Sequence, residues 1–98
     1  MTDTIEASHI LCSTSTDAEG ALEQINAIAR QIADGADFAD IAREHSDCPS
    51  GRSGGALGSF GRGVMVPEFE EAAFALDVGE TSGVVETDFG YHLIQRTA

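Results

Sequence analysis

Lysine is missing from this sequence altogether, and only five arginines stand against 17 acidic residues, for a formal net charge of −12 at pH 7. Nucleic acids and anionic membranes are bound through clustered Lys and Arg that displace counterions, so a chain of this charge repels both classes of partner. Long apolar runs are missing as well. No stretch approaches the roughly 20 residues that span a bilayer, and no basic segment followed by an apolar one opens the chain. A soluble, cytoplasmic protein is expected. Cysteine is scarce: Cys12 and Cys48 are too few to form the disulfide scaffold of a small secreted domain and are read as thiols.

What remains is enough to fold. Hydrophobic residues make up 42% of the chain, and the acidic residues are spread over its length, which excludes simple disorder. Residues 1–98 are expected to form one domain that buries roughly 60 to 65% of its unfolded surface. A lysine-free acidic coat rich in Ala, Gly, Asp and Thr resembles that of proteins from cells with molar internal salt, where screening over about 3 Å suppresses self-repulsion. Such a surface also predicts a monomer.

The pattern along the chain is mixed and without repeats. Thr4 to Cys12 reads as a strand. Thr16-Asp17-Ala18-Glu19 forms a capping box, after which Leu22, Ile25, Ile28, Ala29 and Ile32 recur at helical spacing until Gly35. Asp37 can cap a second helix that places Phe38, Ile41, Ala42 and His45 on one face and ends near Ser46. Between Cys48 and Gly63 six glycines punctuate a turn, a short strand around Leu57 and Phe60, and a loop. Pro67 suits the first turn of a third helix carrying Phe69, Ala72, Ala73 and Leu76, closed by Gly79. Strands are expected at about 82–86 and 90–96. The order β, α, α, β, α, β, β predicts an α+β, mostly antiparallel sheet with helices packed around it.

Two histidines, one near each end, occupy matching apolar strands: Ser8-His9-Ile10-Leu11 and Tyr91-His92-Leu93-Ile94. If these strands pair, two imidazoles meet in the middle of the protein, where each ring needs both a donor and an acceptor satisfied. Two separate core histidines are the simpler alternative. Strand alternation puts His9 on the face of Ala7 and Leu11 and turns Cys12 to the other side. This weakens a tetrahedral zinc site built from His9, Cys12, Cys48 and His92, so no metal or other cofactor is expected. A histidine-activated Cys48 nucleophile is a second possibility, opposed by the neighbouring Asp47, since nearby negative charge raises a thiol's pKa. Asp88-Phe89-Gly90 matches a kinase magnesium motif in a chain too short for a kinase. The glycine-rich stretch lacks the lysine and following helix of a phosphate-binding loop.

Taken together, five blocks resemble the parvulin family of peptidyl-prolyl cis/trans isomerases. They are Ala7-Ser8-His9-Ile10-Leu11, Ser46-Asp47-Cys48-Pro49-Ser50-Gly51, Gly54-Gly55-Ala56-Leu57-Gly58-Ser59-Phe60, Met65-Val66-Pro67-Glu68-Phe69 and Phe89-Gly90-Tyr91-His92-Leu93-Ile94. The resemblance covers nearly the whole chain in order. It implies the parvulin (FKBP-like) fold, a four-stranded antiparallel sheet surrounded by four helices, the extra one a short turn near Pro49 to Ser53. It also implies a stand-alone catalytic domain acting on proline-containing unfolded or extended polypeptides. By the same resemblance His9 and His92 are the paired active-site histidines, Cys48 stands where relatives carry Cys or Asp, and Thr87 is a hydroxyl beside the pair. Leu57, Met65 and Phe69 match the pocket for the substrate proline ring, with Phe60 and Phe89 at its edge.

Phosphate-directed members of that family carry a basic cluster in the loop after the first strand, where this chain has Ser13-Thr14-Ser15-Thr16-Asp17. A phosphoserine would be repelled there. An uncharged or basic residue before proline is therefore expected, although Arg62, expected near the pocket, could attract an acidic side chain. The competing class is a non-catalytic chaperone or binding module that uses the same apolar groove.

Overall fold

The computed structural model describes residues 4–14, 18–47 and 49–98. Thr16 and Asp17, half of the expected capping box, and Cys48 lie outside them. Four strands form one antiparallel sheet: β1 (Thr4–Ser13), β2 (Ala56–Gly61), β3 (Val85–Thr87) and β4 (Gly90–Arg96), in the order β2-β1-β4-β3. The terminal strands β1 and β4 are therefore the central pair. Three α-helices, α1 (Ala18–Ala33), α2 (Phe38–His45) and α3 (Pro67–Ala75), surround the sheet. The expected fourth helix is a single 3-10 turn at Pro49–Ser53.

Strand alternation splits the core into two. From β1 and β4, Ile10, Cys12 and Leu93 pack with Ala21, Ile25 and Ile28 of α1 and Phe38, Ile41 and Ala42 of α2. On the other face Ile5, Ala7 and Ile94 pack with Phe60, Phe69, Ala73 and Leu76. His9 and His92 occupy this second face by the same period-two rule.

Local chemistry moves several expected boundaries. On α1, Ala21 rather than Leu22 joins Ile25 and Ile28 in the core, and Leu22 is 38% exposed, so the buried stripe is turned by one residue. The helix ends in a Schellman motif: Ala36 N–H donates to Gln31 C=O at 3.0 Å and Gly35 N–H to Ile32 C=O at 3.0 Å, with Gly35 at φ 105°. Asp37 holds the N-cap position of α2, yet its side chain makes no capping bond.

Helix α3 starts at Pro67 as expected but stops at Ala75, short of Gly79. A separate turn takes over there, in which Asp77 N–H donates to the Glu80 carboxylate at 2.9 Å and Glu80 N–H to Asp77 C=O at 2.9 Å. The strand expected at 82–86 is also broken. Ser82 pairs with Ile94 through N–H to C=O at 2.7 Å, and the ladder resumes only at Val85, opposite His92.

Candidate active site

His9 faces Ile94 across the central strand pair, and His92 faces Leu11. This diagonal offset of two residues on one sheet face brings the imidazoles together, with Nδ1 to Nδ1 at 3.1 Å and ring planes within 17° of parallel. They are 6% and 4% exposed. Phe69, on the buried side of α3, sets its ring nearly perpendicular to both, at centroid distances of 5.5 and 5.6 Å.

The hydroxyl expected beside the pair is in place. Thr87 Oγ1 lies 2.7 Å from His92 Nε2 and accepts a hydrogen bond from Phe89 N–H at 3.2 Å. The β3–β4 hairpin creates this arrangement, because Thr87 pairs with Gly90 and Val85 with His92. The heavy-atom positions accommodate two relays. In one, Thr87 O–H donates to His92 Nε2, His92 Nδ1–H donates to His9 Nδ1, and His9 Nε2 carries a hydrogen. In the other each bond is reversed and His9 Nε2 is a lone pair. Among the described residues His9 Nε2 has no partner.

Burial sets the charge state of the pair. It lowers the pKa of His9 from 6.5 to about 4, with the neighbouring His92 adding to the effect, and burial likewise lowers that of His92. Both rings are neutral at neutral pH.

A cavity of about 540 Å³ opens over the pair, lined by His9, His92, Leu57, Met65, Phe69 and Phe89 together with Leu11, Asp47, Val64 and Val66. Every expected pocket residue except Phe60 reaches it. Phe60 is buried behind the wall, 6.2 Å from the Phe69 ring and 6.1 Å from that of Phe74, because its strand position opposite Ile5 directs it into the α3 core. Val64, Met65 and Val66 arrive on the loop between β2 and α3, which Gly63 N–H ties to the Glu70 carboxylate. Arg62 does not line the cavity. Its guanidinium lies 4.4 Å over the Phe74 ring and 3.8 Å from Glu70.

Four lining residues escaped the sequence reading. Leu11 was legible, since it shares the face of His9. Val64 and Val66 flank Met65 in a loop with no periodicity to mark them. Asp47 depends on a long-range contact: Leu11 C=O accepts from Asp47 N–H at 2.8 Å, and Ser13 N–H donates to Asp47 Oδ2 at 2.8 Å. Cys12 faces away among the α1 and α2 residues, and its thiol is pushed up to about 11 by burial and then by the Asp47 charge. That leaves it protonated and unreactive. His45 is exposed at the end of α2, 3.6 Å from Glu44.

Comparison with known proteins places this geometry in a family. Residues 9–98 match the rotamase model, described as the PPIC-type PPIase domain. The chain belongs to the PPIC-type peptidyl-prolyl isomerase family. This is the parvulin class that the five sequence blocks resemble, and its enzyme class is peptidyl-prolyl cis/trans isomerase. Among PPIC-type relatives, peptidyl-prolyl cis-trans isomerase Pin1 of Arabidopsis thaliana is 51% identical over 85 residues, covering 86% of this chain and 71% of that protein. The foldase protein PrsA of Halalkalibacterium halodurans is 47% identical over 94 residues, which cover 95% of this chain but only 26% of PrsA. The solution structure of TbPIN1 superposes with a TM-score of 0.91 at 35% identity, over the full length of both chains.

Proposed function

We propose that this domain assists protein folding by rotating X-Pro bonds in unfolded or extended polypeptides, without making or breaking a covalent bond. The observation that carries this reading is the neutral histidine pair at the head of an apolar pocket that Phe69 closes from below. Rotation about an X-Pro bond faces a barrier of roughly 18 to 20 kcal/mol and takes tens to hundreds of seconds unaided. The twisted amide has lost its resonance and is less polar than the planar ground state. A dry pocket that grips the proline ring therefore favours the twisted form. A ~10⁴-fold acceleration requires only about 5.4 kcal/mol of such preference.

In this mechanism Leu57, Met65 and Phe69 hold the proline ring, and Phe89, exposed at 62%, covers the mouth. His9, His92 and Thr87 form a neutral relay that meets the rotating amide with a hydrogen-bonding group and no net charge. Cys48 acts as an electrostatic and hydrogen-bonding component and is not a covalent nucleophile, so Cys48→Asp retains measurable activity. The domain works as a cytoplasmic monomer whose acidic coat suits high salt, and it does not select phosphorylated residues. No helix among the described residues is long and apolar enough to cross a membrane.

The exposed apolar rim formed by Val64 and Phe89 favours a second reading, in which the groove only holds unfolded segments. Refolding of a protein limited by proline isomerisation separates the two. An isomerase at catalytic amounts speeds the slow phase, and His9→Ala or His92→Ala abolishes most of the effect. A holding module suppresses aggregation at stoichiometric amounts, leaves the slow phase unchanged and tolerates both substitutions.

A further inference from the structure

We infer that Asp47 is a specificity-determining residue that selects a cationic side chain next to the substrate proline, making Lys-Pro and Arg-Pro the preferred bonds. The inference rests on the isomerase reading. Asp47 is the one residue with a formal charge among the described residues lining the cavity, whose other walls are apolar side chains and two neutral imidazoles.

Its position is built. The segment of Ser46 and Asp47 runs alongside β1 where β2 has ended: Leu11 N–H donates to Ser46 Oγ at 3.1 Å, Asp47 N–H donates to Leu11 C=O, and Ser13 N–H fixes Asp47 Oδ2. A carboxylate offers about four acceptor positions, so the Ser13 bond leaves both charge and acceptor capacity for a ligand. The aspartate is also solvent-exposed, as a rim group that meets a substrate side chain must be.

The geometry of an X-Pro unit fits this rim. With the proline ring in the pocket, the neighbouring Cα lies roughly 2.9 to 3.8 Å from that of proline in either isomer, so its side chain emerges at the mouth. A Lys or Arg stem covers apolar wall while its head stays in water beside the carboxylate. No basic residue counters this field among the described lining residues, because Arg62 is directed to Glu70 and Phe74. The net charge of −12 draws cationic segments to the protein and repels acidic ones.

Peptides differing only at the residue before proline, with Lys, Arg, Ala, Glu or phosphoserine there, test the assignment by exchange NMR. The expected ratio of kcat/KM for Lys over Glu is roughly 2- to 10-fold at low ionic strength, the scale of an exposed charge pair made attractive or repulsive. It shrinks in 1 M KCl, where screening acts over about 3 Å. Asp47→Asn, which keeps an acceptor for Ser13 N–H, collapses the ratio and Asp47→Glu restores it. Glu23→Gln, on the exposed side of α1, leaves it unchanged and so separates a local contact from the overall charge. Equal rates for Lys and Glu, a preference for Glu or phosphoserine, or an unaltered ratio in Asp47→Asn would overturn the proposal. If folded protein accelerates none of the peptides, Ala-Pro included, the isomerase reading itself fails.

Discussion

His9 and His92 meet across β1 and β4 because each stands diagonally from the other, one opposite Ile94 and one opposite Leu11, on the face that Phe69 covers. Their contact therefore belongs to the strand register. A one-residue slip of β4 would send His92 into the α1 core and Leu93 into the pocket.

Thr87 anchors the outer end of this pair. Thr87→Val keeps the shape of the side chain but leaves His92 Nε2 and Phe89 N–H without their oxygen partner. A loss of about 1 to 3 kcal/mol in stability is expected from urea unfolding, with a fall in isomerase activity. Unchanged stability and activity would show that the hydroxyl takes no part in the relay.

The buried imidazoles make the protein acid-sensitive. In the unfolded chain each histidine takes up a proton near pH 6.5, whereas His9 in the folded state resists protonation until about pH 4. The unfolded state thus binds more protons through that window. Stability is complete above about pH 6.5 and declines by on the order of a few kcal/mol as pH falls towards 4. Thermal melts across this range, compared with His9→Gln, measure the slope. A flat profile in the unaltered protein contradicts the burial of the pair.

Two aromatic residues of the pocket should separate stability from binding. Phe69→Ala removes a buried ring that contacts both histidines and Phe60, with an expected cost of about 3 to 5 kcal/mol. Phe89→Ala changes stability by less than about 0.5 kcal/mol, since the ring is largely exposed, but it raises KM for proline peptides. Equal stability losses for the two would contradict the wall and rim positions described above.

Gly55 sits against the backbone of His9. Its φ is 84°, its C=O accepts from His9 N–H at 2.9 Å, and a Cβ there would collide with the His9 carbonyl oxygen. Gly58, at φ 73°, has open space around it. Gly55→Ala is expected to cost at least about 2 kcal/mol and to displace His9, whereas Gly58→Ala bears only the backbone strain of about 1 kcal/mol. Denaturation of both variants, with the His9 ring resonances followed by NMR, tests the contrast.

The histidine face and the mostly antiparallel architecture were legible because strands alternate with period two and the two histidine strands carry the same pattern, whereas the pocket residues were expected only from the resemblance to the parvulin family. Helix boundaries and faces were less so. The apolar spacing on α1 fits a stripe through Leu22 as well as one through Ala21, and packing against the sheet decides between them. The end of α3 depends on the Asp77 and Glu80 turn, which competes locally with helix. Phe60 shows the limit of the resemblance: it implied a place at the pocket's edge, but pairing with Ile5 sends the ring behind Phe69. Asp47 reaches the rim through bonds to a strand more than thirty residues away, which no local pattern announces.

The most direct measurement is cis/trans exchange of a short Ala-Pro peptide by NMR, with catalytic amounts of the protein and of a His9→Ala, His92→Ala double variant. Exchange accelerated by orders of magnitude in the unaltered protein, and largely lost in a double variant that still folds, is the predicted result. Folded protein that leaves exchange at its uncatalysed rate would contradict the account.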